Sequence, residues 1–140
     1  MLVRTCAGGV AFHGDQVFLL QNDKKEWVLP KGVIRSGDLA RDVALRRMAS
    51  EAGVMAEVVS TAGETTYEFY SISRRAPVCN RVTWYIMKAA SADYRVAFDQ
   101  GFLDGGWFPI EPAVERITYS QDRALLRLAW EKYCSLERAQ

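Results

Sequence analysis

The chain is 140 residues long, about the length of one domain, and its 49% hydrophobic and 25% charged content is typical of a folded rather than a disordered protein. Eighteen Lys and Arg residues against seventeen Asp and Glu residues give a net charge of +1, which excludes a strong overall field for nucleic acid or an anionic membrane. Three widely spaced cysteines and a single histidine exclude a disulfide framework and a zinc finger.

We therefore expect a single domain over residues 1–140, with no nucleic-acid partner and no membrane association. No stretch approaches the ~18 apolar residues that a membrane-spanning helix requires, and the first residues lack a basic segment followed by an apolar core and a cleavage site. These features predict a cytoplasmic protein with reduced thiols.

The first half of the chain predicts two strands followed by a helix. Residues 2–12 and 17–21 are apolar runs separated by a polar, glycine-containing turn, and residues 27–30 form a brief extended piece that ends at a proline. From residue 39 the spacing becomes helical, with an apolar stripe and a more polar face. The stripe comprises Ala40, Ala44, Met48 and Ala52, and the face that we expect to be exposed holds Arg46, Arg47, Ser50 and Glu51.

The ends of this helix also have sequence signals. Asp38 is a suitable N-cap, Gly53 is a suitable C-terminal cap, and Asp42 with Arg46 has the four-residue spacing of a helical ion pair. The preceding loop offers backbone N–H groups to an anion at the helix N-terminus, and Lys31 adds a positive charge beside them. The pattern fits a phosphate site, and it equally fits an ordinary loop before a capped surface helix.

The second half predicts further strands and a last helix. Residues 54–60, 65–73 and 81–90 are rich in β-branched and aromatic residues, with a turn at residues 74–77. A Gly/Asp loop follows at residues 101–106, and residues 121–137 have helical periodicity. The order predicts an α/β domain in which a mixed β-sheet lies between helices.

The segment from residue 27 to residue 54 resembles the signature box of Nudix hydrolases, G-x5-E-x7-R-E-U-x-E-E-x-G-U, where U is aliphatic. Two box glutamates are replaced, by Arg47 and Ser50, and Asp38 stands for the first Glu. The matching positions are Gly32, Arg46, Met48, Glu51, Gly53 and Val54.

Residues outside the box extend the resemblance over nearly the whole chain. They are similar to the Nudix branch that acts on dinucleoside polyphosphates, diphosphoinositol phosphates and capped RNA ends, and they imply the α/β/α Nudix fold. The segments similar to this branch are residues 7–10, 27–32 and 81–87, and residues 106–113 resemble the usual lead into the C-terminal helix of the family.

The resemblance implies hydrolysis of a phosphoanhydride with Mg²⁺ or Mn²⁺, which box-helix glutamates one turn apart would bind. Glu51 is the glutamate that remains here, so we expect weak or absent metal binding at Glu51. The implied ligand is a nucleoside diphosphate joined to another group, and homodimers are common in the family. The candidate catalytic residues are Arg46, Glu51 and Asp38, and the candidate substrate-binding residues are Lys31, Gly32, Arg47 and Ser50.

Arg47 precedes Glu51 by four residues, so its guanidinium can reach that carboxylate and oppose a metal ion there. The same cation could hold a diphosphate through paired hydrogen bonds. Two functions stay open. The first is a domain with weakened or lost hydrolysis that binds such a ligand, or only a partner protein, as a sensor or scaffold. The second is an active hydrolase with relocated carboxylates. The acids that could supply relocated carboxylates are Asp38, Glu64, Glu68, Asp99 and Asp104. The aromatic residues that could stack on a base, or simply pack in the core, are Trp84, Tyr85 and Trp107.

Overall fold

The computed structural model describes residues 1–139 and contains one seven-stranded sheet with three α-helices. The strands are β1 (Leu2–His13), β2 (Gln16–Gln21), β3 (Trp27–Val28), β4 (Lys31–Val33), β5 (Ala56–Ser71), β6 (Ala76–Ala89) and β7 (Asp104–Pro109). The helices are α1 (Ala40–Arg47), α2 (Ile110–Arg116) and α3 (Ser120–Arg138), with a π-helical turn at Met48–Ala52 and a short 3-10 turn at Phe98–Gln100. No helix within residues 1–139 is long and apolar enough to cross a membrane.

The sheet is mixed, as the sequence predicts, and β1 lies at its centre. β1 runs parallel to β6, from Leu2 opposite Val78 to Phe12 opposite Lys88. β1 is antiparallel to β2 and β4, β5 forms the outer hairpin with β6, and β7 pairs with β2. This order places β4, which carries the start of the box, beside the middle of β1.

Both faces of the sheet are buried, and the alternation of side chains along β1 shows how. Cys6, Val10 and Phe12 belong to the core under α2 and α3, whereas Ala7 and Ala11 belong to the core under α1. The α/β architecture with a sheet sandwiched between helices is therefore confirmed. The three cysteines are free thiols, two of them buried.

The second half of the chain differs from the sequence prediction in its strand limits. Residues 54–60 and 65–73 were expected as separate strands, but β5 is continuous because register shifts at Val58/Ser60 and Thr61/Gly63 absorb the extra residues as bulges. The turn to β6 consists of residues 72–75. The expected loop at residues 101–106 contains the start of β7, because its backbone pairs with β2.

The box helix forms where it was predicted, with two local differences. Its last turn, Met48–Ala52, is π-helical, and Gly53 closes it in the left-handed region at φ 66°, as expected for a C-terminal cap. The expectation that Asp38 caps the N-terminus is wrong, because the cap residue is Leu39 without a side-chain hydrogen bond. Asp38 Oδ2 instead accepts a hydrogen bond from the Arg35 backbone N–H at 3.1 Å.

Candidate functional site

Glu51 forms an ion pair with the side chain that precedes it by one helical turn. Arg47 Nη1 lies 3.1 Å from Glu51 Oε2 and donates a hydrogen bond to it. The contact that the four-residue spacing predicts is therefore present. Glu51 is only 6% exposed, so its expected place on an exposed helix face is wrong. Glu51 lies in the π-helical turn that follows α1.

Burial and the surrounding charges act on Glu51 in opposite directions. Burial raises the pKa of the Glu51 carboxyl group, and this is the largest effect. The Arg47 guanidinium, the Lys31 ammonium and the Lys31 backbone N–H favour the carboxylate and lower the pKa again, without cancelling the rise. The strand β4 therefore contributes to the site through the backbone and the side chain of Lys31.

Gly32 provides the space in which the Arg47 side chain lies. Gly32 pairs with Ala7 in the sheet, and a Cβ atom at position 32 would lie 2.7 Å from Arg47 Cγ and would overlap Arg47 Nε. Because Gly32 has no side chain, the aliphatic part of the Arg47 side chain can pack against the strand at this position while its guanidinium contacts Glu51.

Arg46 and Asp38 form a second ion pair, outside the Arg47–Glu51 contact. Arg46 Nη2 lies 3.6 Å from Asp38 Oδ2, and 60% of the Arg46 side chain is exposed. The expected pair of Arg46 with Asp42 is absent from the ion pairs of residues 1–139, because Arg46 points back toward the loop before the helix. An ion pair this exposed contributes about 0–1 kcal/mol to stability.

Ser50 is exposed and lies in a recess between the box helix and residues 95–100. Its backbone carbonyl accepts a hydrogen bond from Gln100 Nε2 at 3.1 Å. The recess has a volume of about 560 Å³, and Asp99 also lines it. Ser50 therefore lies in a different depression from Lys31, although the sequence groups both as ligand-binding candidates.

Lys31 lines a cleft of about 560 Å³ on the α3 side of the sheet. The walls of this cleft are aromatic and carry two lysines. The lining residues are Lys24, Lys31, Thr66, Tyr67, Glu68, Phe69, Tyr70, Asn80, Tyr119 and Gln121. Lys31 Nζ lies 5.5 Å from the centroid of the Tyr67 ring, a cation–π contact.

Tyr67 and Tyr119 were missed by the sequence analysis. Their rings meet edge-on with centroids 5.6 Å apart, and the Tyr119 hydroxyl donates to Glu26 Oε2 at 2.5 Å, which raises the pKa of Tyr119 to about 12. The Tyr67 hydroxyl donates to Asp122 Oδ1. The available signal in the sequence was the alternation of side chains between the two faces of β5 around Tyr67. This alternation does not indicate which face of the strand borders a cleft.

The aromatic candidates chosen from the sequence lie elsewhere. Trp84 is fully buried in the core and donates to Thr65 Oγ1 at 2.7 Å. Trp107 donates to the carbonyl of Ala92 at 2.9 Å. Neither these two residues nor Tyr85 line the cleft that contains Lys31.

The acids suggested as relocated ligands are dispersed. Asp38 pairs with Arg46, Glu68 lines the cleft, and Asp99 lines the recess with Ser50. Asp104 accepts a hydrogen bond from the Gly105 backbone N–H at 2.7 Å. Within residues 1–139, no three His, Cys, Asp or Glu side chains are grouped so that they could hold a metal ion.

Comparison with known proteins identifies similar chains and folds. MutT4 of Mycobacterium tuberculosis (strain CDC 1551 / Oshkosh) is 31% identical over 105 residues, which cover 75% of this chain and 41% of that protein. This chain thus spans about two-fifths of the length of that relative.

Solved structures share the fold at low sequence identity. The MutT protein of Methanosarcina mazei Go1 superposes with a TM-score of 0.73 at 13% identity, covering 94% of this chain and 96% of that one. An Ap4A hydrolase of C. elegans, in a binary complex, superposes with a TM-score of 0.67 at 19% identity, covering 94% of this chain and 98% of that one. The sequence model of the NUDIX domain matches residues 3–129. The chain therefore belongs to the Nudix hydrolase family.

Proposed function

We propose that this chain binds a nucleoside diphosphate joined to another group and that its pyrophosphohydrolase activity is weakened or lost. The observation that carries the proposal is the 3.1 Å contact between Arg47 Nη1 and Glu51 Oε2. A cation of the protein itself neutralises the glutamate that the box helix retains. The remaining N–H donors of Arg47 and the Lys31 ammonium group are available to anionic oxygen atoms, whereas the paired carboxylate is not available to a cation.

The residues present do not fit the divalent metal that Nudix hydrolases generally use. Mg²⁺ prefers near-octahedral oxygen coordination with one or more carboxylates, and the Glu51 carboxylate is already paired with a guanidinium. A metal ion at Glu51 would also face the positive charges of Arg47 and Lys31, which act on that carboxyl group. The described residues offer no alternative cluster.

The same cations support binding of a diphosphate. Arg47 presents a planar set of N–H donors suited to paired phosphate oxygens, and 39% of its side chain is exposed, so the guanidinium can reach a ligand. Lys31 adds an ammonium group on the wall of the neighbouring cleft. Aromatic side chains line that cleft, which supports a ligand with a planar group.

A second candidate function is an active Nudix pyrophosphohydrolase with relocated carboxylates. It is favoured by two acids that lie in the depressions around the box: Asp99 in the recess that contains Ser50, and Glu68 in the cleft that contains Lys31. The first candidate is preferred because neither acid belongs to a group that could hold a metal.

Calorimetric titration with ADP-ribose in the presence of a chelator tests the binding proposal. We expect the parent to bind, and we expect Arg47→Gln to weaken binding by a factor of about 10 to 100, because hydrogen bonds to charged groups contribute about 1.5–3 kcal/mol. Arg41→Gln is the matched control, since Arg41 is an exposed arginine on the same helix and, unlike Arg47, does not contact Glu51. Binding that is absent in chelator and restored by Mg²⁺ would favour the second candidate.

A further inference from the structure

Asp122 is a buried acid that the proposed function does not use. It lies in the first turn of α3 and is 2% exposed. Burial raises the pKa of its carboxyl group, whereas the hydrogen bond from Tyr67 and the charge of Lys31 lower it. A buried carboxyl group costs free energy unless it is hydrogen-bonded, and the Tyr67 hydroxyl donates a hydrogen bond to the Asp122 carboxyl group.

Tyr67 connects Asp122 to the cleft. Its hydroxyl donates to Asp122 Oδ1, while its ring lines the cleft and lies 5.5 Å from Lys31 Nζ. Tyr119 packs against the same ring in a T-shaped arrangement. The ring is therefore fixed at its hydroxyl by Asp122 and at its side by Tyr119, and the ammonium group of Lys31 lies over its face.

We propose that Asp122 and Tyr67 are positioning residues for the Lys31 ammonium group, which binds a phosphate of the ligand. Asp122 orients the Tyr67 ring, and the ring holds the ammonium at the wall of the cleft. The inference rests on the proposed function, since it takes the ligand of this cleft to be phosphorylated.

A physical gain follows from this arrangement. A lysine side chain has many accessible rotamers, and much of this conformational entropy is lost when a free ammonium group binds a phosphate. The Tyr67 ring restrains the Lys31 side chain before the ligand arrives. Part of the ordering cost is then met in the folded protein, so binding is tighter than with an unrestrained lysine.

The position of the ammonium can be measured without a ligand, through the ring-current shift of the Lys31 ε protons in NMR spectra. The Tyr67→Leu variant gives the reference chemical shift of the Lys31 ε protons in the absence of the aromatic ring. We expect Asp122→Asn to keep the parent shift, because its amide oxygen still accepts from the Tyr67 hydroxyl, and we expect Asp122→Ala to move toward the Tyr67→Leu value. An Asp122→Ala protein with the parent shift would overturn the inference.

Binding of inorganic pyrophosphate in chelator tests the second half of the inference. Asp122→Ala should weaken binding about tenfold, and Asp122→Asn should stay within about twofold of the parent. If Asp122→Ala does not fold, Tyr67→Phe removes the same hydrogen bond and should give the same tenfold loss. Tyr133→Phe is the matched control. Tyr133 is a buried tyrosine on the same helix as Asp122, and its ring packs against Phe12 and does not line the cleft.

The outcomes separate the two proposals. Equal pyrophosphate affinity in the parent, Asp122→Ala and Tyr67→Phe would overturn the positioning role and leave the proposed function in place. A parent that binds neither pyrophosphate nor ADP-ribose would overturn the proposed function and, with it, the phosphate-binding role of Lys31. A loss of pyrophosphate affinity in Asp122→Ala that is absent from Asp122→Asn supports the inference. A general loss of structure would not depend on whether residue 122 retains an oxygen that accepts the Tyr67 hydrogen bond.

Discussion

The guanidinium of Arg47 lies 3.1 Å from the carboxylate of Glu51, and the two residues lie on either side of the point where the box helix changes from α-helical to π-helical geometry. Arg47 is the last residue of α1, and Glu51 lies in the following turn. The pair neutralises the buried glutamate. It leaves the Lys31 ammonium as a positive charge on the wall of the neighbouring cleft.

The first prediction concerns Gly32, whose missing side chain makes room for Arg47. Gly32→Ala should displace the Arg47 side chain and lower the free energy of unfolding by about 1–2 kcal/mol, because the added Cβ would lie 2.7 Å from Arg47 Cγ. Chemical denaturation measures this change. In an Arg47→Ala background the same substitution should cost little, since the clash is then removed.

Gly106→Ala is the matched control for that substitution. Gly106 also lies in a strand, and the nearest atom to its added Cβ would be Tyr94 Oη at 3.7 Å, an ordinary contact. If Gly32→Ala costs as much with Arg47→Ala as without it, the steric role of Gly32 is wrong.

The second prediction is that Mg²⁺ stabilises the protein little in the absence of nucleotide. A ligand at 100 times its Kd adds about 2.7 kcal/mol to the free energy of unfolding, which would raise the melting temperature by several degrees. Since Glu51 is paired with Arg47, we expect a shift below about 1 °C at a few hundred micromolar Mg²⁺. A shift of several degrees in differential scanning fluorimetry would show that a metal site exists.

The third prediction concerns the pH dependence of stability at Glu51. Its pKa in the folded protein is raised above the ordinary value of 4.5, so the native state takes up a proton at a higher pH than the unfolded state does. The contribution of Glu51 to the free energy of unfolding therefore increases as the pH falls from neutrality toward 4.5 and is constant below that value.

Glu51→Gln removes this titration. The stability of the parent relative to Glu51→Gln should increase as the pH falls through this range, as measured by denaturant unfolding at several pH values. Glu57→Gln is the control, because Glu57 is exposed. A parent that loses stability relative to Glu51→Gln on acidification would mean that the charge of Arg47 outweighs the burial of Glu51.

Most of the element order could be predicted from the sequence, because hydrophobic periodicity reports which local structure buries apolar side chains. This periodicity predicts the first hairpin, the box helix with its Gly53 cap and the last helix, and the structure confirms all three. The short helix α2 (Ile110–Arg116) was not predicted. The continuity of β5 could not be predicted, because its bulges depend on pairing with β6. The π-helical turn at Met48–Ala52 also has no local signal in the sequence.

The candidate site was predictable where it depends on local spacing. The four-residue separation of Arg47 and Glu51 predicts their contact, which is present. The burial of Glu51 and the partner of Arg46 depend on how the helix lies against the sheet and the preceding loop, so both predictions were wrong. The Tyr67–Asp122 hydrogen bond joins residues 55 positions apart, and a single sequence does not reveal such a contact.

Hydrolysis by the parent and by the double variant Arg47→Glu with Ser50→Glu tests the central claim most directly. The assay follows Mg²⁺-dependent turnover of ADP-ribose, dinucleoside polyphosphates, nucleotide sugars and nucleoside triphosphates. If the metal-binding carboxylates are missing because Arg47 and Ser50 stand in place of the box glutamates, the parent should hydrolyse these substrates slowly. The double variant should hydrolyse them faster by roughly a hundredfold. A parent that already turns over at about 1 s⁻¹ or more, and that loses activity in the double variant, would contradict the claim and establish an active hydrolase in which Arg47 and Ser50 serve the reaction.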